Sequence, residues 1–149
     1  AHFNPAVSLM MFLRGNLTFR DFSIYSLMQI LGGISGVICV HLMFGESPIT
    51  ISQIDRSGTN ILLGEFIATL GLLIVIIHGE KFTPSSIPIL VGSYILSATF
   101  FTSSTCFANP AVTISRLFTN SAVGIDSSSI LVFLIVEILA VLVVSKSIE

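Results

Sequence analysis

The sequence predicts an all-α membrane protein, in which four helices cross the bilayer and two shorter ones dip into it from opposite faces. Three observations predict it. Of 149 residues, 53% are apolar and only 9% charged, where a water-soluble domain carries roughly 25% charged residues. Four apolar runs approach the length needed to cross a hydrocarbon core of about 30 Å. The string Asn-Pro-Ala-Val, followed by a small hydroxyl residue, occurs twice, as "NPAVS" from Asn4 and "NPAVT" from Asn109.

Taken in chain order, the first element is a short helix from Asn4 to about Arg14. Asn is a favoured N-cap, and Pro at the first helical position loses nothing, because its missing N–H would have had no partner there. The apolar "AVSLMMFL" follows. The first span, Phe22–Phe44, contains no formal charge, and its "GGISG" at 32–36 suits a close helix crossing within the subunit. The second, Asn60–His78, has the single charge Glu65, and the third, Ser86–Thr102, is short and rich in hydroxyls. A second short helix runs from Asn109 to about Thr119, and the fourth span, Ile130–Ser145, contains Glu137. The polar stretches at 45–58 and 79–85 are loops by their Gly, Pro, Ser and charge content.

Three spans separate the two Asn-Pro-Ala boxes, an odd number. The second box is therefore reached on the opposite side of the membrane from the first, and the two short helices can meet tip to tip near the middle. Interrupted helices at that depth mark the path of a substrate in inverted-repeat proteins. Irregular backbone is tolerated there only where it is buried or lines a water-filled cavity. A repeated box thus implies a pore.

This pair of boxes on two half-helices resembles the aquaporin (major intrinsic protein) family. Gln29 with Gly32, Gly33 and Gly36 resembles the family's third transmembrane helix, and "GEFIAT" with Glu65 the start of its fourth. The resemblance runs over residues 1–149 as a single channel domain. The family has six spans, of which four are present; the chain begins inside a motif without an initiator Met, so the expectation is an N-terminally incomplete sequence lacking the first two helices. The resemblance implies an inverted-repeat bundle that passively conducts water or small neutral solutes, in a homotetramer, in the plasma (inner) membrane.

Each half-helix N-terminus carries about half a positive charge from unpaired N–H groups, so two tips facing each other oppose protons and cations. Asn4 and Asn109 then donate to a passing oxygen, Pro5 and Pro110 start the helices, and Ala6 and Ala111 are small enough for the tips to pack. By the family's spacing the selectivity filter falls on Ser97, Cys106 and Val112. Val112 stands where most relatives have Arg, which implies a wider and less charged constriction. "NPAVT" resembles a microbial subgroup associated with metalloid transport, so metalloid hydroxides and glycerol-like polyols are both compatible cargo. Arg116, one turn on, either replaces the lost charge or sits at the mouth bound to carbonyls or phosphate.

Glu65, costly in lipid, should face the bundle interior; by resemblance it accepts backbone N–H groups of a dipping loop, and Glu137 invites the same reading. His2 is read as packing, and His41 and His78 as solvated ends of spans. Cys39 and Cys106 have neither disulfide nor metal spacing. No nucleophile–base pair, metal cluster or phosphate loop is visible, so the reading includes no enzyme, cofactor or metal, and a net charge of −2 points to no nucleic-acid partner. Placing the first half-helix on the cytoplasmic side puts Arg14, Arg20, Lys81 and Lys146 inside and Arg56 and Arg116 outside, in line with the positive-inside tendency. Two alternatives stay open from sequence: a non-conducting membrane remnant, and an inverted-repeat secondary transporter.

Overall fold

Helix ends decide the architecture, and the sequence marks most of them. The structure, a computed structural model, describes residues 2–146. Helix α1 (Pro5–Leu13) is capped by Asn4, whose Oδ1 accepts the Ala6 amide at 2.8 Å, and it closes at Gly15 in the left-handed region (φ 75°). Helix α2 (Phe19–Met43) starts on Thr18, which accepts the Asp21 amide while its hydroxyl donates to the Asp21 carboxylate. Its 25 residues make a rod of about 37 Å, stopped at Gly45 (φ 72°).

Helix α3 (Thr59–Phe82) runs a turn beyond the His78 boundary read from hydropathy, because nothing in "GEKF" breaks a helix before Pro84. That extra turn brings Glu80 to Arg14 at 3.0 Å, a partly exposed pair worth up to about 1 kcal/mol. The third predicted span, Ser86–Thr102, is found one residue shorter at each end. A 3-10 turn at Pro84–Ser86 leads into α4 (Ile87–Phe101), since the Pro84 and Pro88 rings each remove a backbone donor. Helix α5 (Pro110–Ser115) is shorter than expected and tightens into a 3-10 turn at Arg116–Phe118. There the chain leaves the helix to pair with the 45–58 loop, the Thr50 and Ser52 amides donating to the Phe118 and Leu117 carbonyls. Helix α6 (Ser127–Lys146) completes the set.

Helices α2, α3, α6 and α4 with its 3-10 lead-in are long and apolar enough to cross a membrane. The protein is therefore an all-helical, multi-pass integral membrane protein, as the sequence predicts. Helices α3 and α6 form the central pair, and both short helices wedge between α2 and α6. The core is built mainly from α1 (Ala6, Val7, Met10, Met11) and α3 (Ala68, Leu72, Leu73, Ile76, Ile77), with Val141 and Val144 of α6. The α3 set recurs every three to four residues, so it forms one stripe. Gly33 admits α5 to α2: a Cβ there would stand 2.8 Å from the Ser115 Oγ and 3.3 Å from the Ala111 carbonyl oxygen. Within the glycine cluster the crossing is made by Gly33, whereas a Cβ at Gly32 or Gly36 would meet nothing within 4 Å.

Candidate functional site

The residues immediately before the two boxes share an unusual backbone. Phe3 (φ 55°) and Ala108 (φ 48°) are both non-glycine residues in the left-handed region, a conformation that costs about 1–3 kcal/mol when the surroundings do not favour it. Their carbonyls show what holds them. The Asn4 Nδ2 donates to the Ala108 oxygen at 2.6 Å, and the Asn109 Nδ2 donates to the Phe3 oxygen at 3.0 Å. Each box therefore grips the residue preceding the other. The remaining amide oxygen of each Asn caps its own helix: Asn4 takes Ala6, while Asn109 takes Ala111 at 3.0 Å and Val112 at 3.4 Å. With three spanning helices between them, α1 and α5 approach from opposite faces and touch at their N-terminal tips. Asn4, Pro5, Ala6 and Ala111 are buried, whereas Asn109 and Pro110 keep partial exposure.

Buried carboxylates support the approach to the second box. Glu65 of α3 is wholly buried and accepts the amides of Phe107 (3.2 Å) and Ala108. Glu137 of α6, equally buried, accepts the Asn109 amide at 3.0 Å and the Thr113 hydroxyl at 2.8 Å. Both glutamates thus satisfy N–H groups that would otherwise be orphaned in an apolar interior. On the first box, Gln29 of α2 donates to Ser8 Oγ at 3.1 Å, and the His2 ring meets the same hydroxyl at 3.1 Å.

A family model described as Major intrinsic protein matches residues 1–145. The chain belongs to the major intrinsic protein family. It is 45% identical over 139 residues to an aquaglyceroporin, AqpS, of Rhizobium meliloti (strain 1021), an alignment that covers 93% of this chain and 60% of that protein. The chain thus spans about 60% of the length of the curated relative it matches.

Of the three positions expected to form the filter, Cys106 and Val112 flank the second box in sequence and Ser97 lies on α4. Cys106 is buried, in the left-handed region (φ 50°), with its amide donated to the Thr102 and Ser104 hydroxyls. Val112 is half-buried and lines two cavities. One, of about 420 Å³, is shared with Gln29, Asn109 and Ala111; the other, of about 400 Å³, with Ser115, Arg116 and Thr119. Ser97 lies on the exposed side of α4, its hydroxyl turned back to the Ser93 carbonyl at 2.8 Å, and makes no hydrogen bond to Cys106 or Val112.

One side chain departs from the sequence reading. His41, expected as a solvated span end, is buried: its Nδ1 donates to the Pro48 carbonyl at 3.1 Å, and its Nε2 pairs with the Thr119 hydroxyl at 2.9 Å. It lies there because the loop after α2 folds back over the helix end. Arg116, weighed either as a replacement for the lost charge or as a mouth residue bound to carbonyls or phosphate, stacks over the Phe107 ring, 4.1 Å from its centroid, and lines the second cavity beside Val112. The residue that binds carbonyls is Arg56, which sequence reasoning did not single out. Buried in the 45–58 loop, it donates to the oxygens of Gly124 (2.7 Å), Ala122 (2.9 Å) and Ser104 (3.3 Å) and lies 4.9 Å from the same Phe107 ring. A basic residue in a polar loop carries no signal of such burial, because its partners are backbone oxygens that any sequence supplies.

Proposed function

We propose that this chain forms the conducting core of a passive channel for water and small uncharged solutes of glycerol size. The observation that carries the reading is the reciprocal grip of Asn4 and Asn109 on the Ala108 and Phe3 carbonyls. It joins two helix N-termini head to head, where their partial positive charges reinforce each other against cations. A single file of neutral molecules can pass such a point by exchanging hydration for bonds to the amide donors and carbonyl acceptors around it. A passive channel accounts for that arrangement without a coupling-ion site or an alternating motion, both of which a secondary transporter needs.

The filter in this reading comprises Ser97, Cys106 and Val112, with Val112 replacing a guanidinium by an isopropyl group and so widening the constriction. The relative's description as an aquaglyceroporin supports polyol-sized cargo. A homotetramer in the plasma membrane completes the proposal. The test is vesicle swelling with the full-length protein reconstituted in liposomes. Glycerol and water fluxes should scale linearly with gradient, show no saturation and leave a proton gradient intact. Saturable flux that depends on an ion gradient would favour a transporter and overturn the proposal.

A further inference from the structure

We propose that Arg116 is a specificity-determining residue of the conduit: its guanidinium binds the oxygens of a vicinal diol in the cavity beside Val112, and Phe107 positions it. Arg116 follows Val112 by one helical turn, so the two share a face of α5 and its 3-10 extension. Long side chains on a helix lean back toward its N-terminus. The Arg116 guanidinium does so, lying 4.1 Å from the ring centroid of Phe107, a residue that precedes the Asn109 cap. Val112 and Arg116 accordingly line one cavity of about 400 Å³.

The two arginines that meet the Phe107 ring differ in what else they hold. Arg56, 4.9 Å from the centroid, commits its donors to the carbonyls of Gly124, Ala122 and Ser104. The Arg116 Nη1 is buried and has no hydrogen-bond partner among the described residues, where the one ion pair joins Arg14 to Glu80. Three other polar side chains on the cavity wall already bond within the fold: Ser115 to the Ala111 carbonyl, His41 to Pro48 and Thr119, and Thr119 to Ser121. The ring face attracts the cation without accepting its N–H groups, which lie in the guanidinium's own plane. A buried donor left unmet is costly, and an oxygen entering from the cavity relieves it. The planar fork presents parallel donors. In a solute extended along a narrow path, hydroxyl oxygens on neighbouring carbons match that spacing, and those two carbons apart do not. Val112 supplies the apolar wall that the C–H side of such a solute needs.

The test compares 1,2-propanediol with 1,3-propanediol, isomers that differ only in hydroxyl spacing; its flux arm rests on the channel reading and its binding arm does not. In vesicles of the reconstituted full chain, corrected for the bare bilayer, the 1,2 isomer should pass about threefold faster or more. Arg116→Lys keeps the charge without the fork, and Arg116→Leu keeps neither, so each should bring the ratio near one. For binding, the full chain is held in lipid nanodiscs with its arginines labelled by nitrogen-15. The Arg116 Nε–H resonance, assigned by its loss in Arg116→Lys, should shift with the 1,2 isomer and stay in place with the 1,3 isomer. Vesicles that conduct neither isomer, with that shift intact, would refute the channel reading while upholding the solute site. Equal fluxes of the two isomers through the parent, or a ratio unchanged in both variants, would overturn the proposal. So would a resonance that answers to acetate or inorganic phosphate and to neither diol, which would make Arg116 an anion site.

Discussion

At the scale of single residues, Val112 carries the sharpest consequence. It follows the second box on α5 and lines both cavities along that helix. A guanidinium placed there would narrow the path and add donors, so Val112→Arg should slow glycerol more than water. The check is the ratio of the two permeabilities in reconstituted vesicles; an unchanged ratio removes Val112 from the filter. The boxes were legible in sequence because Asn capping and Pro at the first helical position are local preferences that need no tertiary knowledge. Arg56 and His41 were not legible. Their partners are the carbonyls of residues 104, 122 and 124 in one case and of Pro48 in the other, and only the folded loops bring those oxygens within reach.

Between elements, fit depends on small residues at close approaches. Gly33→Val would drive a branched side chain against the Ser115 hydroxyl and the Ala111 carbonyl. We expect α5 to be pushed from α2, at a cost of about 1–3 kcal/mol, read as a lower midpoint of thermal unfolding in detergent together with reduced flux. Hydropathy placed all four spans, since runs of apolar residues report membrane depth directly. It erred where hydrogen bonding rather than hydropathy sets the limit. Helix α3 continues through polar Glu80 and Lys81, α6 begins among serines at Ser127, and α5 gives way at Arg116 to pairing with the 45–58 loop. That pairing has no sequence signal, because it joins backbone to backbone across more than sixty positions.

For the whole molecule, the loops on the Arg56 side act as one lid whose parts are stapled to α6. Asp55 accepts the Ser129 hydroxyl at 3.0 Å and the Ser57 amide at 2.9 Å, while Asp126 accepts the Ser128 amide at 2.8 Å where α6 begins. Hydrogen bonds from Ser57 hold the Asp55 carboxyl below its ordinary 3.8, and those from Ser128 do the same for Asp126. A carboxylate lowered on folding stabilises fully above its unfolded value and loses that contribution as pH falls through the folded one. The lid should therefore be indifferent to pH from neutrality down to about 4 and loosen below it. Amide hydrogen exchange of residues 50–58 across that range would show the change, and protection that declines already between pH 7 and 5 would refute it.

The crossed grip of Asn4 and Asn109 also has a consequence for biogenesis. Their partner carbonyls lie 104 and 106 positions away along the chain, and those carbonyls belong to the two left-handed residues that precede the boxes. Neither half can complete its centre from its own material, so a ribosome still short of Ala108 has exported a first half whose Asn4 amide has nothing to hold. The junction of the two boxes is consequently among the last features to form.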